Sequence, residues 1–218
     1  NPLRIALLVG AAIGAVSPVF AQDLLGVAWS GAVVRIDSHG GGVVPIGYGL
    51  AGLNCLARAA NGTFYGVQRV ATSFHTLVAV DPDTGAGTVV ASCADIRGLS
   101  QGPGDLLFGI REGMYGDTLA TIDPANGVYT TIGNTGFDGV QGLALHQGVL
   151  YAWEVLQGLL VVDPQTGVAT DPFPGDVVPQ YLQSLCSHPD GRLLVGGGDS
   201  SGPDTLYVVD LGTGSATM

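Results

Sequence analysis

Hydrophobic and polar positions alternate along this chain in short runs, and the runs recur. In LVAVDPDTGAGTVVAS (77–92) an apolar run meets Asp81-Pro82, turns through Thr84-Gly85 and leaves as a second run. Related stretches are VVRIDSHGGGVVPIG at 33–47, LATIDPANGVYTTIG at 119–133, LLVVDPQTGVATDPF at 159–173 and LYVVDLGTGSATM at 206–218. The marker aspartates are Asp37, Asp81, Asp123, Asp163 and Asp210, at steps of 44, 42, 40 and 47 residues. A recurrence of this length is read as a repeat architecture before any single motif is weighed.

Each marker ends a run rich in Val, Leu, Ile and Thr, which predicts a strand. The turn after it has a physical recipe: Asp accepts backbone N–H groups, Pro fixes its own φ, and Gly admits a positive φ. Two further strands precede each marker hairpin. They are Leu53–Ala57 and Thr63–Val67 in the second unit, and Gly98–Gln101 and Leu106–Ile110 in the third. In the fourth they are Gln141–Leu145 and Val149–Trp153, and in the fifth Gln183–Cys186 and Arg192–Val195. Four short antiparallel strands per period of this length describe a propeller blade. No segment after residue 21 keeps an apolar stripe of helical period, and its glycines and prolines would break one. The expected fold is therefore all-β, a β-propeller of four-stranded blades. Its five visible units run approximately over 22–50, 51–94, 95–136, 137–177 and 178–218.

Residues 1–21 have a different character. Arg4 supplies a positive start, Ile5 to Val16 an apolar stretch, and Val19 and Ala21 small residues ahead of Gln22. This is the pattern of an export signal, too short for an ordinary membrane span. The first unit then opens with Leu24–Ala28, Ala32–Ile36 and Val43–Ile46 as second, third and fourth strands, and its innermost strand is missing. Ser215–Met218 barely begins a fourth strand in the last unit. The expectation is a ring incomplete at its C-terminus; a three-stranded first blade in a five-blade ring is the competing account.

Composition narrows the partners. The chain of 218 residues has seven Lys plus Arg, all arginine, against 18 Asp plus Glu, a net charge of −11. A nucleic-acid backbone needs a basic patch, and anionic lipid needs one too. Neither partner is expected, nor is stable membrane insertion. A protein, peptide or glycan remains, in a secreted or periplasmic setting.

Aligned, the innermost strands read Asn54-Cys55-Leu56, Arg97-Gly98-Leu99, Gln141-Gly142-Leu143 and Gln183-Ser184-Leu185. A long polar residue, a small one and Leu recur. Asn54, Arg97, Gln141 and Gln183 are expected to ring one mouth of the central channel, where they meet a ligand or hydrogen-bond channel water and neighbouring loops. The small position lets blades approach at the crowded centre. The loops between second and third strands open on the same face and vary most: WSG, QRVATSFH, REGMYGD, EVLQG and GGDSSGPD. Variable loops on a rigid scaffold carry recognition. Arg69, Arg111, Glu112, Tyr115, Trp153 and Glu154 are the candidates there, with Trp29 and Trp153 suited to stacking or to packing between blades.

Other chemistry is sparse. His39, His75, His146 and His188 form no HExxH or close pair in sequence, and GGDSSG at 197–202 does not spell a nucleophile elbow. Asp81 and Asp83 resemble a calcium loop, but the other units replace Asp83 and a five-residue turn offers few oxygens. No metal site follows. Cys55 and Cys93 lie where neighbouring blades can bring them together and are candidates for a disulfide; Cys186 reads as a buried free thiol. Asn61-Gly62-Thr63 fits the glycosylation acceptor pattern, relevant in a eukaryotic secretory host.

The units resemble those of secreted bacterial propeller proteins that read L-Y-x-x-D-P-x-T-G-x-x-T-x-x-G. LVAVDPDTGAGTVVAS, LATIDPANGVYTTIG and LYVVDLGTGSATM are the nearest copies, and the resemblance covers roughly 24–218. It implies the architecture and no chemistry. Quinoprotein propellers also carry D-x-x-T-G turns, but their following Gly-Lys and blade-locking Trp do not recur here, so no cofactor is implied. The leading functional reading is an exported, non-enzymatic propeller that binds through one face. The alternative is a propeller lyase or hydrolase, which His75, Arg97, Arg111, Glu112 and Glu154 would favour if they met in one cavity. A passive envelope scaffold is the third.

Overall fold

The computed structural model describes residues 8–10, 23–39, 42–71, 74–176, 178–179, 181–197 and 205–218. Every strand in them belongs to one of five four-stranded antiparallel sheets, each a meander in chain order. Blade 1 holds β1 (Leu8–Gly10), β2 (Asp23–Val27), β3 (Ala32–Asp37) and β4 (Gly42–Tyr48). Blade 2 holds β5 (Leu53–Arg58), β6 (Phe64–Ala71), β7 (Phe74–Val80) and β8 (Gly87–Cys93). Blade 3 holds β9 (Ile96–Gln101), β10 (Leu107–Arg111), β11 (Thr118–Ile122) and β12 (Tyr129–Asn134). Blade 4 holds β13 (Val140–His146), β14 (Val149–Glu154), β15 (Gly158–Val162) and β16 (Ala169–Thr170). Blade 5 holds β17 (Leu182–Ser187), β18 (Leu193–Gly197), β19 (Thr205–Val209) and β20 (Ala216–Thr217). No helix among the described residues is long and apolar enough to cross a membrane.

Five apolar clusters join the five blades, as a closed ring requires. Leu25, Val33, Leu53 and Phe64 join blades 1 and 2, and Cys55, Leu77, Leu99 and Leu107 join blades 2 and 3. Phe108, Leu119, Leu143 and Leu150 join blades 3 and 4, and Trp153, Leu159, Leu185 and Leu193 join blades 4 and 5. The last cluster, Leu24, Val34 and Ile36 with Cys186 and Leu194, closes blade 5 onto blade 1. Inner and middle strands are therefore apolar on both faces. The outer strands β8 and β12 are mostly exposed, which explains their weaker alternation.

The place left empty in the first blade is taken by β1, which pairs Leu8 with Val27, Val9 with Gly26 and Gly10 with Leu25. It lies inside the stretch expected to direct export; residues 1–7 and 11–21 of that stretch lie outside the described residues, as do Gln22 and 198–204 of the GGDSSGPD loop.

The marker turns repeat atom for atom. Asp81, Asp123, Asp163 and Asp210 each accept through Oδ1 the amide two residues on at 2.8 Å. Each also accepts through its carbonyl the amide of Gly85, Gly127, Gly167 or Gly214, again at 2.8 Å. Those glycines have φ of 72°, 73°, 79° and 73°, which a side chain disfavours. The carboxylates of Asp81 and Asp163 lie below their usual range because backbone amides solvate them first of all. The Asp residues are turn caps.

At the axis the small position does what its place in the pattern predicts. A Cβ on Gly142 would stand 2.8 Å from the Leu185 amide and 2.9 Å from the Ser184 carbonyl carbon. Leu56, Leu99, Leu143 and Leu185 then close the axis, leaving a void of ≈ 10 Å³ between the inner strands.

Candidate functional site

The four polar residues expected at the channel mouth share one backbone device. Each of these inner strands carries a β-bulge near its start. Pairing skips Asn54 between Leu53 and Cys55, and Arg97 between Ile96 and Gly98. It skips Gln141 between Val140 and Gly142, and Gln183 between Leu182 and Ser184. A bulged residue leaves the ladder and its side chain is re-aimed. Hence long polar residues sit where strict alternation would demand apolar ones. The four are not equivalent. Asn54 donates to the Ile96 carbonyl at 3.3 Å and bridges blades 2 and 3. Gln183 is exposed, and Gln141 half-buried beside the closed axis. Arg97 belongs to a charged cluster.

That cluster centres on Asp95, in the two-residue connection between β8 and β9. Its Oδ2 lies 3.1 Å from Arg69 Nη2 and 3.9 Å from His75 Nε2, and its Oδ1 lies 3.5 Å from Arg97 Nε. Arg97 also pairs with Glu112. Burial, partly offset by Asp95, pushes the Arg97 guanidinium below its ordinary value. Asp95 Oδ1 and Arg97 Nε face each other as an ion pair without a hydrogen bond, and buried His75 Nδ1 has no hydrogen-bond partner among the described residues. Buried polar groups without partners are rare and point to an unfilled contact. Beside them Asp117, also buried, accepts from the Val140 amide at 2.8 Å and the Gly113 amide at 3.3 Å. Burial raises its carboxyl despite those bonds.

The cluster forms one wall of a cleft of ≈ 630 Å³ between blades 2 and 3, with His75, Cys93, Asp95, Glu112, Asn126 and Tyr129 in its lining. That size suits a small ligand. Arg111, also in the lining, lays its guanidinium over the Tyr129 ring, 5.3 Å from the centroid. The structure thus brings together Arg69, Arg97, Arg111 and Glu112, which the sequence nominated, with His75 and with Asp95, which it did not. No motif marks Asp95; only its place one residue before the inner strand of blade 3 could have drawn attention to it.

Two nominated residues are withdrawn from the surface. Trp153 is fully buried between blades 4 and 5, so it packs and cannot stack on a ligand. Glu154 is 3% exposed and accepts the Leu156 amide at 2.8 Å and the Gln157 amide, capping its own hairpin. It does not line the cleft that His75 and Glu112 share. The three cysteines are free thiols: no bond joins Cys55 to Cys93, although both belong to the same apolar packing. Burial raises both thiols, Cys93 to about 12, and burial likewise raises Cys186.

Loops between second and third strands expose large apolar side chains in every blade where they are described. These are Trp29 at 48% exposed, Val70 and Phe74 at 54% and 51%, Met114 and Tyr115 at 87% and 89%, and Leu156 at 78%. Thr72 and Ser73 of this loop in blade 2 lie outside the described residues.

The other face carries a second polar network, at the seam of blades 5 and 1. Ser38 Oγ lies 3.1 Å from His188 Nε2, and His188 Nδ1 lies 2.7 Å from Asp190 Oδ1. The order Ser–His–Asp is that of an acyl-transfer triad. Arg192 argues against that use: it donates to the Ser38 carbonyl and to Ser38 Oγ, both at 3.0 Å, and to Asp190 Oδ2 at 2.7 Å. Ser38 lines neither the cleft nor the ≈ 270 Å³ cavity at this end of the axis, which Arg58, Gln101, Ser187 and His188 help to line. The network ties the last blade to the first. Arg192 holds the Asp190 carboxyl well below its usual range. His146, at the end of β13, meets Ser187 Oγ at 2.8 Å, and burial lowers its imidazole. Among the described residues no three His, Cys, Asp or Glu side chains converge as metal ligands.

No protein-family model matches this chain, and no curated protein sequence is similar to it. Solved structures are. A protein of unknown function from Bacteroides thetaiotaomicron superposes with a TM-score of 0.64 at 14% identity, over 99% of this chain and 58% of that one. A putative oxidoreductase (glucose dehydrogenase) from Thermus thermophilus gives 0.61 at 13% identity, over 95% of this chain and 97% of that one. A PQQ-bound aldose sugar dehydrogenase from Streptomyces coelicolor gives 0.56 at 13% identity, over 94% and 95%. At such identities the likeness establishes the fold alone.

Proposed function

We propose that this chain is an exported, non-enzymatic propeller that binds a polar partner through its loop face, with the cleft between blades 2 and 3 as the recognition site. One observation carries the reading: His75, Asp95, Arg111 and Glu112 line one ligand-sized cleft, and His75 Nδ1 is buried there with no hydrogen-bond partner among the described residues. The exposed apolar side chains on the surrounding loops supply the contact area that a protein, peptide or glycan would cover. Amide NMR during titration with a panel of short peptides and oligosaccharides tests it. Shifts confined to residues 75, 93–97, 111–112 and 126–129 are expected. A ligand that shifts only the opposite face, or a panel with no binder, overturns the assignment.

A lyase or hydrolase is the second reading, favoured by His75, Asp95 and Glu112 on one cleft with arginines beside them. Turnover of any panel member, abolished by His75→Gln, would select it over binding alone.

Export rests on the residue pattern of 1–21, and it has a structural consequence. Cleavage after Ala21 removes β1, leaving a first blade of three strands. N-terminal sequencing of the exported product decides: Gln22 as its first residue supports export, and retention of Leu8–Gly10 in an exported product excludes the cleavage.

A further inference from the structure

We infer that the cleft between blades 2 and 3 selects a hydroxylated monocarboxylate, in chemical terms a sugar acid, with Arg111 as the group that binds its carboxylate. The inference rests on the proposed function and names the ligand class of the same site.

Charge is the first argument. The whole chain has seven arginines, no lysine and a net charge of −11. Three of those arginines stand around this one cleft: Arg69 and Arg97 within ion-pair distance of Asp95, and Arg111 in the lining. Asp95 and Glu112 neutralise two of them. Arg111 has no ion pair among the described residues, so its positive charge stands unpaired in the cleft lining. It suits a monoanion. A dianion would set its second charge against Asp95 and Glu112 in a protein already strongly acidic.

Geometry is the second. A guanidinium is a planar fork of donors that matches a carboxylate in bidentate contact. Arg111 is pre-oriented by Tyr129, whose ring centroid lies 5.3 Å from the guanidinium carbon. Arg111 also lines the cleft, so the guanidinium is held within reach of a ligand there.

The other polar groups of the cleft constrain the rest of the ligand. His75 Nδ1 is buried with no hydrogen-bond partner among the described residues, on a ring that can donate or accept, and the Asp95 and Glu112 carboxylates beside it in the lining are acceptors. His75 is 6% exposed. Hydroxyl groups donate and accept at once, so a polyol chain or sugar ring can meet the imidazole and the carboxylates alike; a purely apolar body would cover these polar groups without pairing them, which is costly. The Tyr129 ring edge and the Cys93 and Ala94 side of the cleft offer the apolar contact that a sugar ring uses.

The test is calorimetry with NMR on the intact chain, using sodium glucuronate, glucose, glucose 6-phosphate and a disaccharide ending in glucuronate. Glucuronate is expected to bind at least tenfold more tightly than glucose and than glucose 6-phosphate, shifting the amides of Glu112 and 126–129. If the disaccharide alone binds with that preference, the natural ligand is a glycan end and the inference stands. Arg111→Gln, at an exposed position that leaves the core intact, should erase the preference over glucose. Tyr129→Phe, which keeps the ring, should retain it within about threefold, and Tyr129→Ala should weaken it. Glucose binding as tightly as glucuronate in the cleft overturns the inference while the proposed function survives. Glucose 6-phosphate binding more tightly, or a preference that Arg111→Gln leaves unchanged, also overturns it. If peptides from the wider panel bind in the cleft and no sugar acid does, the ligand class is wrong and the site remains.

Discussion

The seam between blades 5 and 1 is where the ring is most open to attack, because the chain does not run directly from one of these blades into the other and no strand is shared across it. Closure rests on the apolar cluster of Leu24, Val34, Ile36, Cys186 and Leu194 and on the polar network around Arg192. Arg192→Met keeps the length and apolar stem of the side chain and removes the guanidinium. It deletes two bonds to Ser38 at 3.0 Å and the ion pair with Asp190 at 2.7 Å. A hydrogen bond from a charged donor contributes up to about 1.5–3 kcal/mol when buried, and an exposed ion pair about 0–1. The side chains of Arg192 and Asp190 are 26% and 29% exposed, so the lower end applies. The expected loss is about 2–3 kcal/mol, a fall in Tm of about 4–12 °C for a domain of this size. Urea denaturation of Arg192→Met, Ser38→Ala and the double variant measures it. The coupling between the two sites should reach about 1 kcal/mol, since both side chains act in one contact. Additivity within about 0.5 kcal/mol, or an Arg192→Met midpoint equal to that of the parent, would show that the apolar cluster closes the ring unaided.

Further consequences follow from the same geometry. Gly142→Ala sets a methyl group against the Leu185 backbone at the axis and should destabilise by about 1–3 kcal/mol in urea, whereas Gly148→Ala on the surface, where no atom lies within 4 Å, should show only the backbone cost of its positive φ. Asp81, Asp163 and Asp190 have lowered folded-state values, so their contribution is full at neutral pH and above and is lost as pH falls below about 4 through those values; denaturation midpoints should drop from pH 7 to pH 3, and Asp163→Asn should shrink that drop, an unchanged slope counting against the turn-cap account. Cys93 should alkylate slowly at pH 8 and accelerate through pH 11, because burial raises its thiol to about 12; a plateau near pH 9, or a mass two hydrogens short under non-reducing conditions, would show a differently placed or bonded thiol.

The strand order is legible in the sequence because every unit spells the same turn. Asp at the first position and Gly at the fifth each have one physical job, and both jobs recur from Asp81 to Gly214. The small-then-Leu pattern at Gly98-Leu99 and Gly142-Leu143 is legible for a similar reason: sterics at the axis leave few alternatives. What sequence does not show depends on backbone irregularity or on distance along the chain. A bulge breaks the period of two, so the direction of Asn54 or Arg97 is ambiguous until pairing is known. Parity also misleads at a strand end: Trp153 and Glu154 sit where β14 meets its loop, and both turn inward. The partners of Arg192 lie about 150 residues away, at Ser38 and His39.

In a chain with 18 acidic side chains and seven arginines, an arginine is the scarce half of every ion pair. Turn aspartates do not need one, because backbone amides solvate them. The arginines are therefore available for contacts that amides cannot make, across seams and beside cavities. Arg35 reaches Asp83 on the neighbouring blade, Arg192 reaches Ser38 across the closing seam, and Arg69 and Arg97 converge on Asp95 between blades 2 and 3. Arg111 departs from this pattern: it joins no blade to another, and it is stacked in place beside a cleft with its charge unmatched. If arginines here served only to hold blades together, removing Arg111 would cost stability and leave binding untouched. A carboxylate site requires the reverse: an Arg111→Gln protein that unfolds at the parent's urea concentration, within about 0.5 kcal/mol, and has lost its preference for the carboxylate.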